Sequence, residues 1–399
     1  MGHKKGKEWK RMRTFMQKDL LSPESARGYV PSMIQAAKIA SQVAPSYKDD
    51  LNKYLSLCAL DLFSAVAFGE MIKSVDPAKD VSDNDSNEFA LSAYRGLGLG
   101  VEILFDPLET ILSKMGITSK KQLECFGNLD KAWNIGRKKI DNFIERKERG
   151  TLTENEMNSY LSRAIDRQNE KGSMVSLREA QELVFTGLFA AVDTTSSYIG
   201  WVLFHMARTP RVQEKLYKEL TFSIENVGDG ALTDEVLDKR NVPYLHAVIR
   251  ESHRLSPVRV LATLKSIDAE VKVNGVQLEP GDVVGLEGYT TGMNPDLVDE
   301  PELFVPERWL PDVVESRKGT PKEIIDHPFF QAPFSQGARR CPGSRVAANE
   351  TQVMIAQLVL DWKMTSTISS MNDIEYSQKT VIELKIPSID FESRRRKMA

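Results

Sequence analysis

A ten-residue segment near the C-terminal end, residues 334–343, constrains this chain more than any other stretch. It reads FSQGARRCPG, in which Gly337 and Gly343 bracket Cys341. Glycine suits a tight loop whose backbone approaches a flat ligand closely, and a cysteine thiolate is one of the few protein ligands for haem iron. Pro342 fits the first position of a helix. The segment therefore predicts an iron-ligating thiolate at a helix N-terminus, where the helix dipole stabilises its charge.

Two interpretations of this segment follow from the residues alone. A glycine-rich turn that holds a buried structural cysteine would account for a lone Cys-Pro-Gly. Five fixed positions in ten residues, F-x-x-G-x-R-x-C-x-G, favour the iron ligand instead. Arg339 is then placed to meet an anionic propionate of the cofactor.

The segment resembles the haem-binding loop of the cytochrome P450 superfamily, and the resemblance extends from about Trp9 to the C-terminal end. It implies a mainly α fold with small β-sheets (α+β) and haem b, iron protoporphyrin IX, as the cofactor. By this resemblance Cys341 is the axial ligand of the iron. The other cofactor-binding residues of the loop are Phe334, Gly337, Arg339 and Gly343.

The composition is that of a globular protein without a surface for polyanions. Hydrophobic residues make up 41% of 399 residues, and 53 Lys and Arg against 56 Asp and Glu give a net charge of −3. A nucleic-acid binder would show a basic excess, so no nucleic-acid partner is expected. The cysteines Cys58, Cys125 and Cys341 are few and widely spaced, which indicates a reducing compartment rather than a disulfide framework.

Residues 7–18 read as a basic amphipathic helix in which Trp9 and Arg13, four positions apart, share one face. In cytochrome P450s a W-x-x-x-R pair on the helix named C reaches a haem propionate, and the resemblance gives that role to Trp9 and Arg13. Two helices, most of a β-sheet and a membrane or targeting segment precede helix C in the family. We therefore expect residues 1–399 to form a single domain of an N-terminally truncated member without its anchor.

The longest predicted helix begins at Ser176 and continues to about Arg208. The apolar run at residues 183–207 could span a membrane, but Asp193 at its centre favours a buried central helix. The stretch AAVDTT at residues 190–195 resembles the family pattern small-Gly-x-acid-Thr, although Ala191 stands where glycine is usual. The resemblance makes Asp193 and Thr194 catalytic: the acid relays protons, and the hydroxyl holds a water.

The hydroxyls of this stretch are also expected to bond back to carbonyls four residues earlier and to bend the helix. The alternative is a polar kink in an ordinary core helix.

A second pattern lies in the predicted helix at residues 242–255, where Glu251 and Arg254 are three apart. Most such pairs are surface salt bridges that contribute little. The resemblance implies otherwise, because the family buries this E-x-x-R pair with an arginine of a later Pro-Glu-Arg segment. Here that residue is Arg308. The expected role of this triad is structural, and removing one partner should be costly.

Several shorter signals predict where elements begin and turn. Two capping boxes are expected, at Thr153 with Glu156 and at Ser176 with Glu179. Asn274-Gly275 predicts a turn between strand-like runs, and the region around Asp106-Pro107 is interpreted as a loop.

The residues following Asp193 are most similar to mitochondrial-type cytochrome P450s, which take electrons from a [2Fe–2S] ferredoxin. That group carries basic residues where this chain has His246, Arg250 and Arg345. A ferredoxin is therefore favoured over a flavoprotein reductase, and a mitochondrial location over the endoplasmic reticulum or cytoplasm. A full-length form would leave room for membrane association.

The sequence as a whole predicts a haem-thiolate monooxygenase that inserts one atom of O2 into an apolar small molecule. Sterols, fatty acids, terpenoids and xenobiotics all fit. One rival is a haem-thiolate isomerase or dehydratase of peroxides, a class that tends to lack the acid–threonine pair. The other is a haem-binding truncated fragment without turnover, which the expected loss of N-terminal segments favours.

Overall fold

The structure is a computed structural model that describes residues 5–75, 84–170, 175–258, 261–287, 289–366, 368, 376–377, 383–384 and 386–394. The α-helices in these ranges are α1 Gly6–Leu20, α2 Pro23–Gly28, α3 Val30–Val43, α4 Leu51–Phe68, α5 Asn84–Phe105, α6 Pro107–Lys114, α7 Lys120–Glu148, α8 Glu154–Met157, α9 Tyr160–Asn169, α10 Leu177–Ala207, α11 Pro210–Asn226, α12 Pro243–Leu255, α13 Tyr289–Gly292, α14 Pro311–Ser316 and α15 Ser344–Asp361. Short 3₁₀ turns lie at Ala44–Tyr47, Pro306–Trp309 and Pro321–Asp326.

The strands are few and short. They are β1 Leu261–Ser266, β2 Val271–Val273, β3 Val276–Leu278, β4 Val283–Glu287, β5 Trp362–Ser366, β6 Tyr376–Ser377, β7 Glu383–Leu384 and β8 Ile389–Ser393. They pair as four antiparallel two-stranded sheets, β1 with β4, β2 with β3, β5 with β8, and β6 with β7. The predicted fold class, mainly α with small β-sheets, is confirmed.

Helix α10 is the central element of the core. It packs against α4 on one side and α15 on another, and its residues Val184, Ile199 and Val202 are fully buried. The predicted buried helix at residues 183–207 is therefore confirmed. The contiguous hydrophobic core that contains it extends in sequence from Met12 in α1 to Ile389 in β8.

Helix α4 is a second long apolar helix. From the sequence, only residues 183–207 are described as a long apolar run. Among the described residues it is the one helix long and apolar enough to cross a membrane, yet 89% of it is buried. Helix α4 can be apolar on nearly all sides because it packs against both α10 and α3.

The local signals mostly mark real boundaries. Both predicted capping boxes are present, at the starts of α8 and α10. Asn274 and Gly275 adopt positive φ angles of 48° and 85° in the turn that joins β2 to β3, as a tight hairpin turn requires.

The predicted loop around Asp106-Pro107 is wrong. Asp106 caps α6, accepting a hydrogen bond from the backbone N–H of Leu108 at 2.9 Å, and Pro107 occupies the first turn. An acidic cap followed by proline is a helix-start signal, so α6 could have been predicted.

Candidate functional site

The cysteine loop is closed by its own backbone. The N–H of Cys341 donates to the carbonyl of Phe334 at 2.9 Å, and the N–H of Arg340 donates to the carbonyl of Gly337 at 3.0 Å. Gly337 has a φ of 81°, a conformation that side chains rarely adopt. The first glycine of the motif is thus required by a turn that holds Cys341 in place.

The loop runs into helix α15 two residues later than the sequence predicts. The helix begins at Ser344 with Gly343 as its N-cap residue, so Pro342 belongs to the loop and not to the first helical turn. A Cβ atom added at Gly343 would lie 4.0 Å from the Sγ atom of Cys341. That distance is an ordinary van der Waals contact, so this neighbour does not by itself require a glycine at position 343. The cysteine still lies next to a helix N-terminus.

Helix α1 brings its predicted pair to this loop. The guanidinium of Arg339 lies over the ring of Trp9, 4.5 Å from its centroid. Arg13 is buried, and its pKa is lowered chiefly by that burial and also by Arg340, whereas Cys341 raises it. The structure thus gathers three arginines from two elements around one cysteine.

Arg13 stands out within this cluster because its Nε atom is buried and has no hydrogen-bond partner among the described residues. An unsatisfied charged donor in a protein interior is costly, so it is expected to meet an acceptor that the polypeptide does not supply.

An aromatic contact joins the loop to helices α10 and α12. The ring of Phe334 meets Tyr198 of α10 edge-on, with centroids 6.5 Å apart, and Tyr198 meets His253 of α12 at 5.6 Å. Burial lowers the pKa of His253 to about 4, so this imidazole is neutral at physiological pH. Phe334 thereby ties the cysteine loop to the central helix.

Helix α10 has one accessible stripe although most of it is buried. Thr186 and Ala190 are exposed and Thr194 is half-buried, at a spacing of four residues that places them on one face. The Oγ1 atom of Thr194 donates to the carbonyl of Ala190 at 2.9 Å, which is the expected back-bond. Asp193 occupies the helix position beside Thr194, and its side chain lies outside the described part of the structure.

Sequence reasoning missed Glu350 of α15. Its side chain is buried, and Oε2 accepts a hydrogen bond from Thr195 of α10 at 3.2 Å, while Oε1 has no partner among the described residues. Burial raises its pKa to about 8. A mostly protonated carboxyl therefore joins α15, the helix that follows the cysteine, to the residue after Thr194.

A sequence signal for Glu350 did exist. It lies four residues after Val346 and three before Val353, both of which are buried. That spacing puts an acid on the apolar face of the helix, where an unpaired carboxylate would be costly.

The predicted triad side chains meet in the protein interior. Arg254 donates to both oxygens of Glu251, at 2.8 and 2.9 Å, and Arg308 donates to Oε1 at 2.9 Å. Trp309 Nε1 donates to Oε2 of Glu251 at 2.7 Å, and the backbone N–H of Val305 donates to Oε1 at 3.0 Å. Glu251 thus accepts five hydrogen bonds.

Arg254 and Arg308 direct their remaining donors to backbone carbonyls. The acceptors are those of Gly292, Pro301, Leu303, Asp299 and Glu300. The triad thereby fixes the chain between α12 and the turn at Pro306–Trp309.

Two of the three basic residues assigned to a redox partner are half-buried and already make contacts within the protein, and one of them, His246, lines a surface cleft together with Arg345. His246 contacts the carbonyl of Leu237 at 3.2 Å, and burial lowers its pKa, so it is neutral at pH 7. Arg250 stacks on Trp309 at 3.9 Å and donates to a backbone carbonyl. Only Arg345 of the three is exposed, so a basic surface at this position would have to draw on other residues.

Comparison with known proteins identifies the family. The family model described as Cytochrome P450 matches residues 1–391. The chain is similar to the human protein Sterol 26-hydroxylase, mitochondrial, with 34% identity over 48% of this chain and 34% of that protein. It is 28% identical to Cytochrome P450 4V2 of Mus musculus over 76% of this chain and 56% of that protein.

Cytochrome P450 10 of Lymnaea stagnalis aligns with 98% of this chain at 27% identity, and with 68% of its own length. The chain therefore spans about a third to two thirds of the length of the curated relatives it matches.

Proposed function

This chain belongs to the cytochrome P450 family, and we propose that it acts as a haem-thiolate monooxygenase. In that reaction one atom of O2 enters an apolar small molecule and the other leaves as water. The observation that chiefly supports the proposal is the gathering of Trp9, Arg13 and Arg339 around Cys341. Cytochrome P450s use haem b, and these residues fit that cofactor.

The fit rests on charge and on the buried orphan donor. Haem b carries two propionates, and carboxylates are the acceptors that arginine pairs with best. Arg13 has a buried Nε without a partner among the described residues, and the guanidinium of Arg339 lies over the Trp9 ring, 4.5 Å from its centroid. These two arginines would bind the propionates, and Cys341 would hold the iron through its thiolate.

When bound, the haem supplies an iron centre that activates dioxygen. The protein contributes proton handling on the facing helix. The Thr194 hydroxyl donates its proton to the carbonyl of Ala190, so its oxygen lone pairs are free to accept a hydrogen bond from a water. Asp193, which precedes Thr194 in the helix, would pass protons to that water, and the apolar neighbours of α10 would exclude other waters.

We propose a sterol-class substrate and a mitochondrial setting, which the relative named Sterol 26-hydroxylase, mitochondrial supports. The proposed ferredoxin donor rests on the sequence resemblance to mitochondrial-type members. A donor would dock where Arg345 is exposed, beside Arg27 and Lys239 in the same cleft. Asp234 and Asp238 share this cleft, so the surface is only moderately basic. Arg345→Glu should raise the KM for ferredoxin severalfold and leave substrate binding unchanged.

We further propose that α6 and the start of α7 contact a membrane. Their large apolar side chains are about half or more exposed: Leu108, Ile111, Met115, Ile117, Leu123 and Phe126. A contiguous exposed apolar patch marks an interaction site. Serine at Leu108, Ile111 and Met115 should reduce sedimentation with phospholipid vesicles, and unchanged sedimentation would contradict this surface.

Turnover under isotopically labelled dioxygen tests the proposed reaction. The haem-loaded protein is supplied with a ferredoxin, its reductase and NADPH, and a panel of sterols and fatty acids under ¹⁸O₂. The expected product carries one ¹⁸O atom per turnover, and Cys341→Ala abolishes it. A product that forms equally without reductant would instead indicate an isomerase or dehydratase.

A further inference from the structure

A second cleft is lined by residues of α5, of α7 and of the end of α4 with the segment that follows it. Its volume is about 340 Å³, within the range of small-molecule pockets. The apolar side chains that line it include Phe68, Ile72, Phe89 and Phe143, which are almost fully buried. None of the described residues that line it belongs to the cysteine loop, to α1 or to α10.

The rim of this cleft carries more positive than negative charge. Lys139 pairs with Glu70 at 3.4 Å and lies over the Phe68 ring at 5.8 Å. Arg146 makes a bidentate pair, at 2.6 and 2.8 Å, with the buried carboxylate of Glu156. Lys138 is exposed and forms no ion pair with any residue of the described ranges. One cation is therefore left over beside an apolar floor.

We propose that this cleft binds a single-chain amphipathic carboxylate, of the fatty-acid type. The chain would lie on the phenylalanine rings, where burying apolar surface provides the affinity. The carboxylate would meet Lys138, and the exposed amide of Asn142 on the same rim could donate a hydrogen bond. A single net positive charge matches a monoanion better than a phosphate or a neutral lipid.

An aromatic wall separates this site from the accessible stripe of α10. Gly136 of α7 lies so close to Phe185 that an added Cβ would approach its ring to 2.2 Å. Phe185 in turn meets Phe89, Trp133 and Phe189, with centroids 4.7–5.9 Å apart. This wall makes the cleft a site of its own, so its occupancy need not change the haem spectrum.

Equilibrium dialysis of labelled dodecanoate against the haem-loaded protein tests the site, with the haem absorption band as a separate report on the distal pocket. We expect one equivalent to bind without a spectral shift. Lys138→Glu should weaken that binding about tenfold, and Ile135→Trp, which fills the cleft, should abolish it. The control is Lys218→Glu, which changes an exposed lysine of α11 that lines neither this cleft nor the proposed membrane surface.

Two further measurements distinguish recognition of a carboxylate in this cleft from binding to a lipid surface. Dodecanol, which lacks the charge, should bind several times more weakly, and Lys138→Glu should not affect it. Sedimentation with anionic vesicles should be the same for Lys138→Glu and wild type. The proposal is overturned if every bound equivalent shifts the haem band, if Lys218→Glu weakens binding equally, or if only vesicle binding responds to Lys138→Glu.

Discussion

Two charged clusters in this protein are built from the same residue types and differ in how completely they are satisfied. The carboxylate of Glu251 accepts five hydrogen bonds and lies between the guanidinium groups of Arg254 and Arg308. Around Cys341, by contrast, Arg13 is buried with an orphan Nε, next to Arg340.

The difference separates a structural use of charge from a functional one. A buried ion network that satisfies all its members can only hold the fold, because it has no capacity left for a ligand. A cluster with a buried unsatisfied donor costs stability and is kept for a partner. The buried Nε of Arg13, unpaired among the described residues, is therefore what distinguishes this cluster from the closed network.

Breaking the closed network should have the largest effect. Arg254→Met leaves the Glu251 carboxylate buried with fewer donors, which we expect to cost about 3–5 kcal/mol of the free energy of unfolding. Denaturant unfolding of the haem-loaded protein measures it. The control is Lys318→Met, which removes an exposed pair of the same i, i+3 spacing with Glu315 and should leave stability unchanged. Similar results for both variants would contradict the distinction.

Glu350 offers an intermediate case, since this buried carboxyl accepts one hydrogen bond where Glu251 accepts five. Its folded pKa of about 8 lies above the ordinary 4.5, so the native state binds one proton more than the unfolded state between these values. Stability therefore falls as pH rises through that window.

Between pH 6 and 9 the ionisation of Glu350 should lower the free energy of unfolding by about 2–3 kcal/mol, at 1.36 kcal/mol per pKa unit. Glu350→Gln keeps the shape and the bond to Thr195, and should be less sensitive to pH by that amount in urea unfolding. Equal slopes for the two proteins would show that Glu350 is ionised in the fold.

Removing an arginine from the charged cluster around Cys341 should have the smallest effect on the free energy of unfolding. It should instead speed the loss of haem. Arg13→Met removes the orphan donor, so the haem-free protein should be as stable as wild type or more so. Haem loss to an apomyoglobin acceptor should be about tenfold faster, which is about 1.4 kcal/mol. A variant that loses stability without faster haem loss would place Arg13 with the structural arginines.

Much of this site could be predicted from the sequence because its residues lie in short fixed spacings. The pairs Trp9 with Arg13 and Glu251 with Arg254 are each on one helical face, and Cys341 lies in a ten-residue loop. The approach of Arg308 to Glu251, across 57 positions, was predicted from the family resemblance and not from spacing.

What escaped prediction depends on which side chains are buried and already engaged. His246 and Arg250 are predicted to face a redox partner, and the structure engages both with backbone carbonyls of this chain. The hydrogen bond from Thr195 to Glu350 joins two residues 155 positions apart, on helices α10 and α15. The apolar spacing around Glu350 indicates that it is buried but does not identify this partner. The cleft beside Lys138 likewise arises from tertiary packing of three helices.

We propose above all that Cys341 ligates haem iron as a thiolate within this arginine-lined cluster. The most direct measurement is the difference spectrum of the haem-loaded, reduced protein with and without carbon monoxide. We expect the strongly red-shifted Soret band of a thiolate-ligated complex, and its loss in Cys341→His with haem retained. A band at the ordinary imidazole-like position in the wild-type protein, or a red-shifted band that survives Cys341→His, would contradict it.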